Sequence, residues 1–584
     1  MGDKIIIKGN LIKEEGDYKR YLENKNIYYI LNCYNSELIK KNSNIFYKIK
    51  NNIYKRLNNN CYLYTFLLGD KSLMDNEVKI SYQNNGISHL FAISGMHIAL
   101  LSSILEKLLR KVFKEEKSFK ITCCFLIFYL LLVGFYPSIL RGVLFYMLFK
   151  INNIYYFYIK KENIFLFILS VSLIINPKYV YDIGFLYSYL ISFSLIRSSD
   201  YLKGNYIISL FKVSVLAFIV SLPISIYNNY EVNLLSIIYN MFFVPLVSLV
   251  IFPFTLIVFI LPFLEPIYNI LIIILENSSL LLSRIILLKL VFRKLFICIY
   301  IIYVILVLLY LIFRKRIFII IYFIILFIHL LIPYFDHNKY IYYFDVGQGD
   351  SILISIQNKN ILIDTGGERE YFYNNLYKDI KSRGINKIDY LILSHGDFDH
   401  MGDSIKLVNS FKIDKVIFNN GDYNNLEKEL INELKKKHIN YYRNIDSIKI
   451  DNYYLYFLNS GLYDNENDNS NVIYLEIDNY KFLFMGDAGK EREKDILNEY
   501  DISDIDVLKV GHHGSNTSSS LYFINNIKPI YSIISVGKNN RYGHPNKEVL
   551  NILEDSKIYR TDKLGSIVFT IKDNKLNNKC DTIK

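Results

Sequence analysis

Two hydrophobic patterns divide the chain. Long uncharged apolar runs recur between residues 121 and 335, and beyond about Tyr340 short apolar stretches alternate with turn signals. A helix needs about 20 apolar residues, with a range of about 17 to 25, to cross the hydrocarbon core of a bilayer. The runs therefore predict a polytopic α-helical membrane domain with roughly seven to ten crossings. The alternating part predicts a soluble α/β domain.

The longest apolar run covers residues 232 to 264 and contains Pro245, Pro253 and Pro262. Proline removes a backbone donor and interrupts a helix, although membrane helices tolerate it. The run predicts either one tilted helix or two broken segments. The choice decides whether the number of crossings is odd or even.

These patterns predict three regions. Residues 1 to 80 are polar, with short strand-like stretches, and predict a partial β-rich soluble region. Residues 81 to 336 form the membrane domain, and residues 337 to 584 form the second soluble domain. No secretory signal opens the chain.

Charge is distributed unevenly between the halves. The net charge is +12, yet residues 337 to 584 hold 32 Lys and Arg against 36 Asp and Glu, which leaves +16 for residues 1 to 336. A basic excess in the apolar half is typical of membrane proteins, whose cytoplasmic loops concentrate Lys and Arg. The six cysteines show no CxxC pairing, which excludes a thiolate zinc finger and a disulfide scaffold.

The basic loops indicate a topology. Three basic clusters, at residues 110 to 120, 160 to 161 and 197 to 212, fall on one face, which the positive-inside rule makes cytoplasmic. The clusters at 284 to 294 and 314 to 316 are separated by one span and cannot both be inside. With the tight loop 314 to 316 inside, the C-terminal domain would be extracellular.

The residues that carry candidate chemistry lie in turns that follow apolar strands. Ser394-His395-Gly396-Asp397-Phe398-Asp399-His400 offers four potential metal ligands within six residues. Other strand-end segments supply Asp487, the pair His512 and His513, and His544, so these turns hold five of the ten histidines. Imidazoles and carboxylates directed to one point are what a hydrolytic metal site requires.

The set His-x-Asp-x-Asp-His, Gly-Asp after a strand, and Gly-His-His-Gly-Ser resembles the metallo-β-lactamase superfamily. Residues 344 to 351 (FDVGQGDS) and 361 to 367 (ILIDTGG) resemble its opening strands. In the membrane half, residues 67 to 70 (LLGD), 89 to 98 (HLFAISGMHI) and 137 to 141 (PSILR) resemble signatures of the ComEC family of DNA internalisation (competence) proteins. The resemblance covers roughly residues 61 to 584 and implies an αββα hydrolase domain behind the membrane domain.

The resemblance also implies roles for the residues. His395 and Asp397 would hold one divalent metal, Asp399, His400 and either His512 or His513 a second, and Asp487 would bridge them. The sequence departs from the superfamily where Asp397 replaces histidine, and no histidine between His438 and Asp487 completes the first site. The polar candidates there are Asp468, Asn469 and Ser470.

One or two ions are expected, and this carboxylate-rich set favours Mn²⁺ or Zn²⁺. Asp399 could orient the attacking water, and His544 could donate to a phosphoryl oxygen or the leaving group. His544 could also be a structural turn residue.

Three residues of the membrane half are candidates for a transport pathway. Arg141 lies in an apolar stretch, where a charge costs about 2.5 to 3.5 kcal/mol on insertion scales, so it is either functional or an interfacial residue that extends to the headgroups. His89 and His97 are eight residues apart and would share a helical face. That face could line a polar path or belong to an ordinary amphipathic helix.

The ComEC resemblance implies a multi-pass protein of the cytoplasmic membrane that takes up single-stranded DNA during natural transformation, with a metal-dependent nuclease domain for the non-transported strand. The lipid bilayer and other competence proteins are the expected partners. Two alternatives stay open: a transporter whose hydrolase-like domain is non-catalytic, and hydrolysis of another phosphodiester. The resemblance implies additional spans and a complete small β-domain at the start of the chain, and it leaves a truncated gene and a misplaced start open as alternatives here.

Overall fold

The computed structural model describes residues 4–12, 22–23, 27–40, 45–57, 60–285, 288–367, 376–538 and 540–581. The chain divides into two compact units. Unit 1 comprises Met1–Asn228, Val232–Lys289 and Phe296–Phe323, and unit 2 comprises Asn229–Glu231, Leu290–Leu295 and Ile324–Lys584.

An antiparallel strand pair opens unit 1. Strand β1 (Lys4–Ile12) pairs with β2 (Ile30–Lys40), with irregularities in register near Lys4 and Lys8. The strand-like stretches of the sequence near residues 5 and 30 thus lie in or at the start of these two strands.

Helices form the rest of the chain before residue 336. They are α1 (Ile45–Arg56), α2 (Cys61–Leu68), α3 (Asn76–Asn84), α4 (Gly95–Leu109), α5 (Glu115–Val133), α6 (Pro137–Ile154), α7 (Lys161–Ile175), α8 (Ile183–Arg197), α9 (Tyr206–Asn229), α10 (Ser236–Pro245), α11 (Phe252–Ile260), α12 (Glu265–Ser283), α13 (Ile297–Phe313) and α14 (Arg316–Leu331). Short 3₁₀ segments occupy Ser88–Phe91, Pro177–Tyr181, Pro262–Leu264 and Ile332–Phe335, and two short strands are β3 (Glu231–Asn233) and β4 (Lys289–Val291).

Four helical segments of the described residues are long and apolar enough to cross a membrane. They are Tyr206–Asn229, Ser236–Ile260, Pro262–Ser283 and Arg316–Phe335. The apolar helices α8 and α13 are shorter, at 15 and 17 residues. Full-length apolar helices therefore account for fewer crossings than the seven to ten that run lengths predict, because several runs form single helices of only 15 to 17 residues.

The long apolar run 232 to 264 contains one continuous helical segment. A π-helical stretch, Leu246–Ile251, joins α10 to α11 and directly follows Pro245, whose missing N–H loosens the ladder at that point. Pro253 lies in the first turn of α11, where it is tolerated, and the helix ends before Pro262. Residues 236 to 260 therefore form one helical segment rather than two broken ones.

Two stacked sheets form the body of unit 2. The first has the strand order β10-β9-β8-β7-β6-β5-β18-β19 and the second the order β11-β12-β13-β14-β15-β16-β17. The strands are β5 (Lys339–Tyr343), β6 (Ile352–Ile356), β7 (Lys359–Ile363), β8 (Lys387–Ile392), β9 (Lys412–Ile417), β10 (Asn440–Tyr442), β11 (Ser447–Ile450), β12 (Tyr453–Phe457), β13 (Ile473–Ile477), β14 (Tyr480–Phe484), β15 (Val507–Lys509), β16 (Tyr531–Ile534), β17 (Lys557–Arg560), β18 (Ser566–Lys572) and β19 (Lys575–Asp581).

Alternating side chains build the core between these sheets. Ile352, Ile354 and Ile356 of β6 belong to the cluster that also holds Phe482 and Phe484 of β14. Leu353 points to the opposite face and belongs to a second cluster. The period of two along a strand thus gives each sheet two apolar faces, so the sheets require cover on both sides.

Helices cover the outer faces. Beside the first sheet, the second cluster includes residues of α15 (Leu376–Ser382), α17 (Ser404–Ser410) and α18 (Asn425–Lys436). Beside the second sheet, a further cluster includes residues of α19 (Lys490–Glu499), α20 (Leu521–Ile527) and α21 (Lys547–Ile552). The order helix, sheet, sheet, helix confirms the predicted αββα fold. Two single-turn helices, α16 (Phe398–Met401) and α22 (Thr561–Leu564), complete the unit.

Candidate metal centre

The predicted ligands of unit 2 follow the carboxyl ends of neighbouring strands. Residues 394 to 400 follow β8, Asp487 follows β14, and the turn Gly511–Gly514 follows β15. Strands β7 and β8 run parallel in the first sheet, as do β14, β15 and β16 in the second. The carboxyl ends of parallel strands meet at one edge of a sheet, so side chains far apart in sequence lie together.

Four groups of His, Asp and Glu side chains in the described residues have ligand atoms within 4.8 Å of one another. One joins His395, His400 and Asp487, and another joins Asp399, His400 and His513. Asp350 belongs to both of the other groups. One of them also contains Asp364 and His400, and the other contains Asp487 and His513. The structure therefore brings together five of the seven predicted ligands.

Asp364 fixes the orientation of His400. Its Oδ2 atom lies 2.9 Å from His400 Nδ1 and accepts a 2.7 Å hydrogen bond from the Ser394 hydroxyl. The Ser394 backbone N–H donates to the other oxygen of Asp364 at 2.7 Å. With Nδ1–H held by this carboxylate, Nε2 of His400 is left as an acceptor that faces the centre.

A backbone carbonyl orients His513 in the same way. Its Nδ1 lies 2.8 Å from the Ser535 oxygen, while Nε2 lies 3.4 Å from Asp399 Oδ2 and 3.5 Å from Asp487 Oδ2. The ring is 2% exposed. His513 is therefore a buried imidazole with its free nitrogen directed to the carboxylates.

Asp487 lies at the middle of the cluster. Its Oδ1 is 3.2 Å from His400 Nε2, and its Oδ2 faces His513. The Ser470 hydroxyl accepts a 3.2 Å hydrogen bond from the Asp487 backbone N–H and so fixes the start of this turn. This position between the histidines is the one that a bridging carboxylate needs.

The buried atoms without a hydrogen-bond partner identify what this centre accommodates. Within the described residues, Nε2 of His395, His400 and His513 and Oδ1 of Asp487 are buried and have none. Unpartnered polar atoms in a protein interior are costly. Imidazole nitrogens and carboxylate oxygens are the ligands of divalent transition metals, and here they lie in overlapping groups of three, so the residues present fit such ions.

Negative charge dominates the electrostatics of the centre. Burial disfavours the charged form of His400, but the carboxylates of Asp487 and Asp364 outweigh it and hold the pKa of His400 well above its usual value. Burial raises the pKa of Asp399, but the nearby imidazoles of His513 and His400 outweigh that effect and lower the pKa to about 2. The protein therefore favours a positive charge at this point, from protons or from a metal.

The first metal position is less complete. Asp397 Oδ2 lies 3.5 Å from His395 Nε2, and its side chain is 54% exposed. Among the polar candidates of the following loop, Asp468 accepts a 2.7 Å hydrogen bond from the Gly489 backbone and Ser470 lies 3.4 Å from Nδ1 of His395, the nitrogen away from the centre. Neither side chain takes the place of the missing histidine.

His512 does not join the ligand groups, so of the two histidines predicted as alternatives only His513 does. Its Nδ1 bonds to the Thr517 hydroxyl at 2.9 Å, and its Nε2 lies 3.8 Å from Asp487 Oδ2. Both histidines have left-handed backbone angles, with φ of 46° and 53°, so successive side chains of this tight turn diverge. His513 points into the cluster, and His512 lies at its rim.

His544 lies in a loop beyond β16, beside this rim. Its ring centroid is 6.0 Å from that of His512, and Tyr542 stacks on its other side at 5.9 Å. Asn540 holds the loop through the His544 N–H and carbonyl oxygen, at 3.0 and 2.8 Å. Within the described residues, Nδ1 of His544 is buried without a partner.

Asp350, Asp364 and Lys509 are members of the site that were not predicted as site residues, although Asp350 and Asp364 lie in the two segments that resemble the opening strands of the superfamily. Lys509, fully buried, forms an ion pair with Asp350. Asp350 also lies 3.6 Å from His513 Nδ1 and 3.9 Å from His400 Nδ1. Two features of the sequence could have indicated these residues: the lysine within the apolar segment 507 to 510 (VLKV) and the carboxylates directly beside strands.

Glu427 stabilises the turn of residues 394 to 400, which we call the histidine turn, through Asn424. It is 1% exposed and accepts a 2.8 Å hydrogen bond from the Asn424 N–H, while the Asn424 side chain donates to the Gly396 oxygen at 2.5 Å. Burial raises the pKa of Glu427 to about 7, against the lowering effect of the Asn424 backbone. The turn thus depends on a carboxyl group that titrates near neutrality.

In unit 1 the three pathway candidates lie in different surroundings. His89 is exposed in the 3₁₀ turn Ser88–Phe91, whereas His97 is buried in α4 beside the rings of Phe66 and Phe252. The break between these elements means that His89 and His97 do not share one helical face, and that prediction is wrong. Arg141, in α6, lines a cavity.

Comparison with known proteins identifies both halves of the chain. Residues 66–328 match the family model described as Competence protein, and residues 344–537 match that of the Metallo-beta-lactamase superfamily. The chain joins a competence-protein domain to a metallo-beta-lactamase domain. This pair is consistent with the ComEC family, and the predicted resemblance is confirmed.

Curated relatives carry related descriptions. ComE operon protein 3 of Bacillus subtilis (strain 168) is 27% identical over 551 residues, which cover 87% of this chain and 70% of that protein. Competence protein ComA of Neisseria gonorrhoeae is 30% identical over 232 residues, which cover 38% of this chain and 31% of that protein. These matches support a role in competence, and the four long apolar helices agree with a membrane protein.

Two solved structures match part of the chain. The metallo-beta-lactamase fold protein YhfI of Bacillus subtilis matches with a TM-score of 0.29 and 10% identity, covering 40% of this chain and 99% of that chain. The short form of human tRNase Z matches with a TM-score of 0.24 and 10% identity, covering 34% and 93%. The metallo-beta-lactamase domain itself indicates a metal-dependent hydrolase.

Proposed function

We propose that the chain takes up single-stranded DNA across the cytoplasmic membrane during natural transformation, and that its metallo-beta-lactamase domain hydrolyses phosphodiesters of the non-transported strand. The competence-protein domain and its relatives support the uptake role. We further propose that the C-terminal domain is extracellular, where the incoming duplex is processed, and that other competence proteins deliver the DNA.

One observation carries the hydrolytic part of this proposal. Three buried imidazole Nε2 atoms and Asp487 Oδ1 converge without hydrogen-bond partners in the described residues. A purely structural polar cluster would satisfy these atoms within the protein, because leaving them unpaired is costly. The cluster therefore supports a metal-dependent reaction.

His395, Asp397 and Asp487 would hold one divalent ion, and Asp399, His400, His513 and Asp487 a second. Such ions lower the pKa of bound water and stabilise charge on phosphoryl oxygens, and Mn²⁺ and Zn²⁺ both suit these ligands. Asp364 and the Ser535 carbonyl hold the imidazoles in the tautomer that binds a cation.

Two groups at the open side would handle protons. The side chain of Asp399 is 33% exposed and ionised, because its pKa is lowered, so it can accept a hydrogen bond from the attacking water and orient it. His544, next to His512 at the rim, is placed to donate to a phosphoryl oxygen or to the departing alkoxide.

A second candidate function follows from the incomplete first position. Asp397 is more than half exposed. Among the described residues, no further imidazole takes the place of the missing histidine ligand at the first position. A transporter whose hydrolase-like domain binds DNA without cleaving it would tolerate this loss. The two candidates differ in whether metal-loaded protein breaks phosphodiester bonds.

The decisive experiment is a nuclease assay on the purified full chain with added Mn²⁺ or Zn²⁺. Duplex DNA labelled separately on each strand would be incubated with the parent and with Asp487→Asn. The matched control is Asp414→Asn, which removes a carboxylate that is 37% exposed on β9 and pairs with Lys387. We expect cleavage by the parent and the control and loss of cleavage in Asp487→Asn.

Uptake is measured separately, as transformation frequency in cells that carry each variant. No cleavage by the metal-loaded parent, or equal cleavage by parent and Asp487→Asn, would contradict the nuclease proposal. If transformation persists in that case, the non-catalytic transporter is the correct function.

A further inference from the structure

Unit 1 contains a cavity of about 710 Å³ between helices α4, α6 and α8. Its volume lies within the range of about 300 to 1,000 Å³ that is typical of ligand pockets. Arg141, Ser192 and Gly95 lie at one end, and Glu106 and Lys150 at the other. We call it the Arg141 cavity.

Arg141 has no acidic partner. One of its terminal nitrogens donates to the Ser192 hydroxyl, and its Nε is buried without a hydrogen-bond partner. Among the described residues, no carboxylate oxygen lies within 4.0 Å of its guanidinium. A guanidinium carries five N–H donors and a permanent charge, and burying both without an anion is unfavourable. The site therefore lacks a negatively charged acceptor.

Two glycines create the space for this guanidinium. A Cβ atom on Gly95 would lie 2.6 Å from a terminal nitrogen of Arg141, and a Cβ on Gly142 would lie 3.2 Å from the Gly95 Cα. Gly95 also begins helix α4, whose first-turn N–H groups have no partner in the helix. The close approach of α4 and α6 thus places the guanidinium beside the positive end of a 15-residue helix.

The opposite end of the cavity is already neutralised. Glu106 accepts from Lys150 Nζ at 2.6 Å, from Arg110 Nε at 3.1 Å and from the Tyr146 hydroxyl at 2.8 Å. The lining contains four cations, with Lys107 as the remaining one, and one acid, which gives a net charge of +3. Arg110 and Lys150 also pair with Glu115, which lies outside the lining, so the cations of the cavity without a carboxylate partner among the described residues are Arg141 and Lys107.

Aromatic rings accompany the cations. Phe145, Phe149 and Phe165 line the same cavity, and the rings of Phe145 and Phe149 are parallel within 2° at a centroid distance of 5.9 Å. A cationic groove with aromatic side chains is the combination that single-stranded nucleic acids bind, because bases stack on the rings while phosphates pair with the cations. A simple inorganic anion would not need the rings.

We infer that the Arg141 cavity binds single-stranded DNA, with Arg141 contacting a phosphodiester and the phenylalanine rings contacting bases. This inference rests on the proposed uptake of a single strand and names a binding site for it. Arg141 is suited to the task because its planar fork donates two parallel hydrogen bonds to one phosphate.

The test measures binding of a fluorescent 20-mer oligothymidylate to the full chain in phosphatidylcholine nanodiscs, with EDTA present so that the probe is not cleaved. We expect Arg141→Gln to weaken binding roughly tenfold or more, and Arg141→Lys to weaken it less. The slope of log affinity against log salt should also decrease by roughly one in Arg141→Gln, as for the loss of one phosphate contact.

Two further variants separate this role from a general loss of structure. Ser192→Ala removes the hydroxyl that orients the guanidinium and should weaken binding roughly twofold to fivefold without removing a charge. Arg197→Gln removes an exposed cation at the end of α8, outside the cavity lining, and should bind like the parent. If Arg141→Gln does not fold, Ser192→Ala and Arg141→Lys decide the matter.

Unchanged affinity in the folded Arg141 and Ser192 variants would overturn the inference while leaving the uptake proposal intact. Equal binding of an oligomer with an uncharged methylphosphonate backbone would also overturn it, since no phosphate charge would be recognised. Retention of phosphatidylglycerol by the parent but not by Arg141→Gln, with oligonucleotide binding unaffected, would assign the site to a lipid headgroup instead. Failure of the parent to bind the oligonucleotide at all would contradict the uptake proposal and this inference together.

Discussion

The metal-type cluster of unit 2 and the Arg141 cavity of unit 1 are opposite in chemistry. In the cluster, imidazole nitrogens and carboxylate oxygens lie in overlapping groups, and the outer ring nitrogens of His400 and His513 are held by Asp364 and the Ser535 carbonyl. In the cavity, the Arg141 guanidinium donates to the Ser192 hydroxyl and lies 6.0 Å from the centre of the Tyr189 ring, and no carboxylate among the described residues pairs with it. The buried atoms without a partner are acceptors in the cluster, which fit a cation, and donors in the cavity, which fit an anion. These atoms therefore indicate the charge of the ligand that each site binds.

The comparison also separates two ways of positioning a reactive group. The histidines are fixed by hydrogen bonds from a surrounding shell, which selects one tautomer. Arg141 is fixed mainly by space, because Gly95 and Gly142 leave room for it and for nothing larger. Substitutions that remove a hydrogen-bonding partner should therefore affect the first site most, and substitutions that fill space or change charge should affect the second.

The largest effect is expected within the His512 and His513 turn. His513→Ala removes a buried nitrogen of the cluster and should lower metal-dependent phosphodiesterase activity on the order of 10³-fold, since a bound metal contributes several kcal/mol. His512→Ala, at the rim, should lower activity roughly tenfold or less and retain bound metal. Rates and metal content of the purified chain check both variants. Equal losses in the two would show that the ligand assignment is wrong.

The shell around His400 is tested by Asp364→Asn. The amide cannot serve as the same charged acceptor for His400 Nδ1 and Ser394, so the imidazole loses its preferred tautomer. We expect metal affinity to fall roughly tenfold to 100-fold. Competition against a fluorescent chelator measures it, with Asp414→Asn as the control. A variant that binds metal like the parent would mean that Asp364 acts only in folding.

Glu427 predicts a pH dependence of the histidine turn. Its pKa in the fold, about 7, lies above its ordinary value of 4.5, so between these values the folded form holds a proton that the opened form has lost. Stability of this region should therefore decrease as pH rises from about 5 to 7, by an amount on the order of 1–3 kcal/mol. Glu427→Gln keeps the cap of α18 and should abolish this slope.

Hydrogen exchange of the first turn of α18, corrected for the intrinsic pH dependence of exchange, measures this opening free energy. The neighbouring helix α17 provides an internal reference, because it lacks a carboxyl group with a raised pKa. A slope that persists in Glu427→Gln would assign the pH dependence to another group.

The smallest effect is expected in the Arg141 cavity. Glu106→Gln removes the one acid of its lining and leaves Glu115 as the acidic partner of Lys150 and Arg110. Binding of the oligonucleotide should become roughly twofold to threefold tighter at low salt, and the gain should vanish at high salt because of screening. Glu116→Gln, an exposed residue paired with Lys120, serves as the control. Weaker binding in Glu106→Gln alone would show that the acid supports the cavity structurally.

Much of the architecture could be predicted from local patterns. Runs of apolar residues indicated membrane helices, and strand-end turns indicated where His395, His400, Asp487 and His513 would meet. The number of helices in the run 232 to 264 could not be predicted from the sequence. Whether Pro245 and Pro253 break a helix depends on whether neighbouring groups satisfy the backbone atoms that the prolines leave unpaired. The prediction that His89 and His97 share one helical face is wrong, because residues 92 to 94 interrupt the helix between them.

The sequence by itself determined the residue types, their segregation into an apolar half and an α/β half, and the strand ends at which chemistry is concentrated. Only the tertiary structure decided that His513 rather than His512 faces the cluster, that Asp364 holds His400, and that Arg141 lies without an acidic partner. The physical reason is that apolar periodicity is a local property, whereas the direction of a side chain in a tight turn and the groups opposite it depend on backbone angles and on segments distant in sequence.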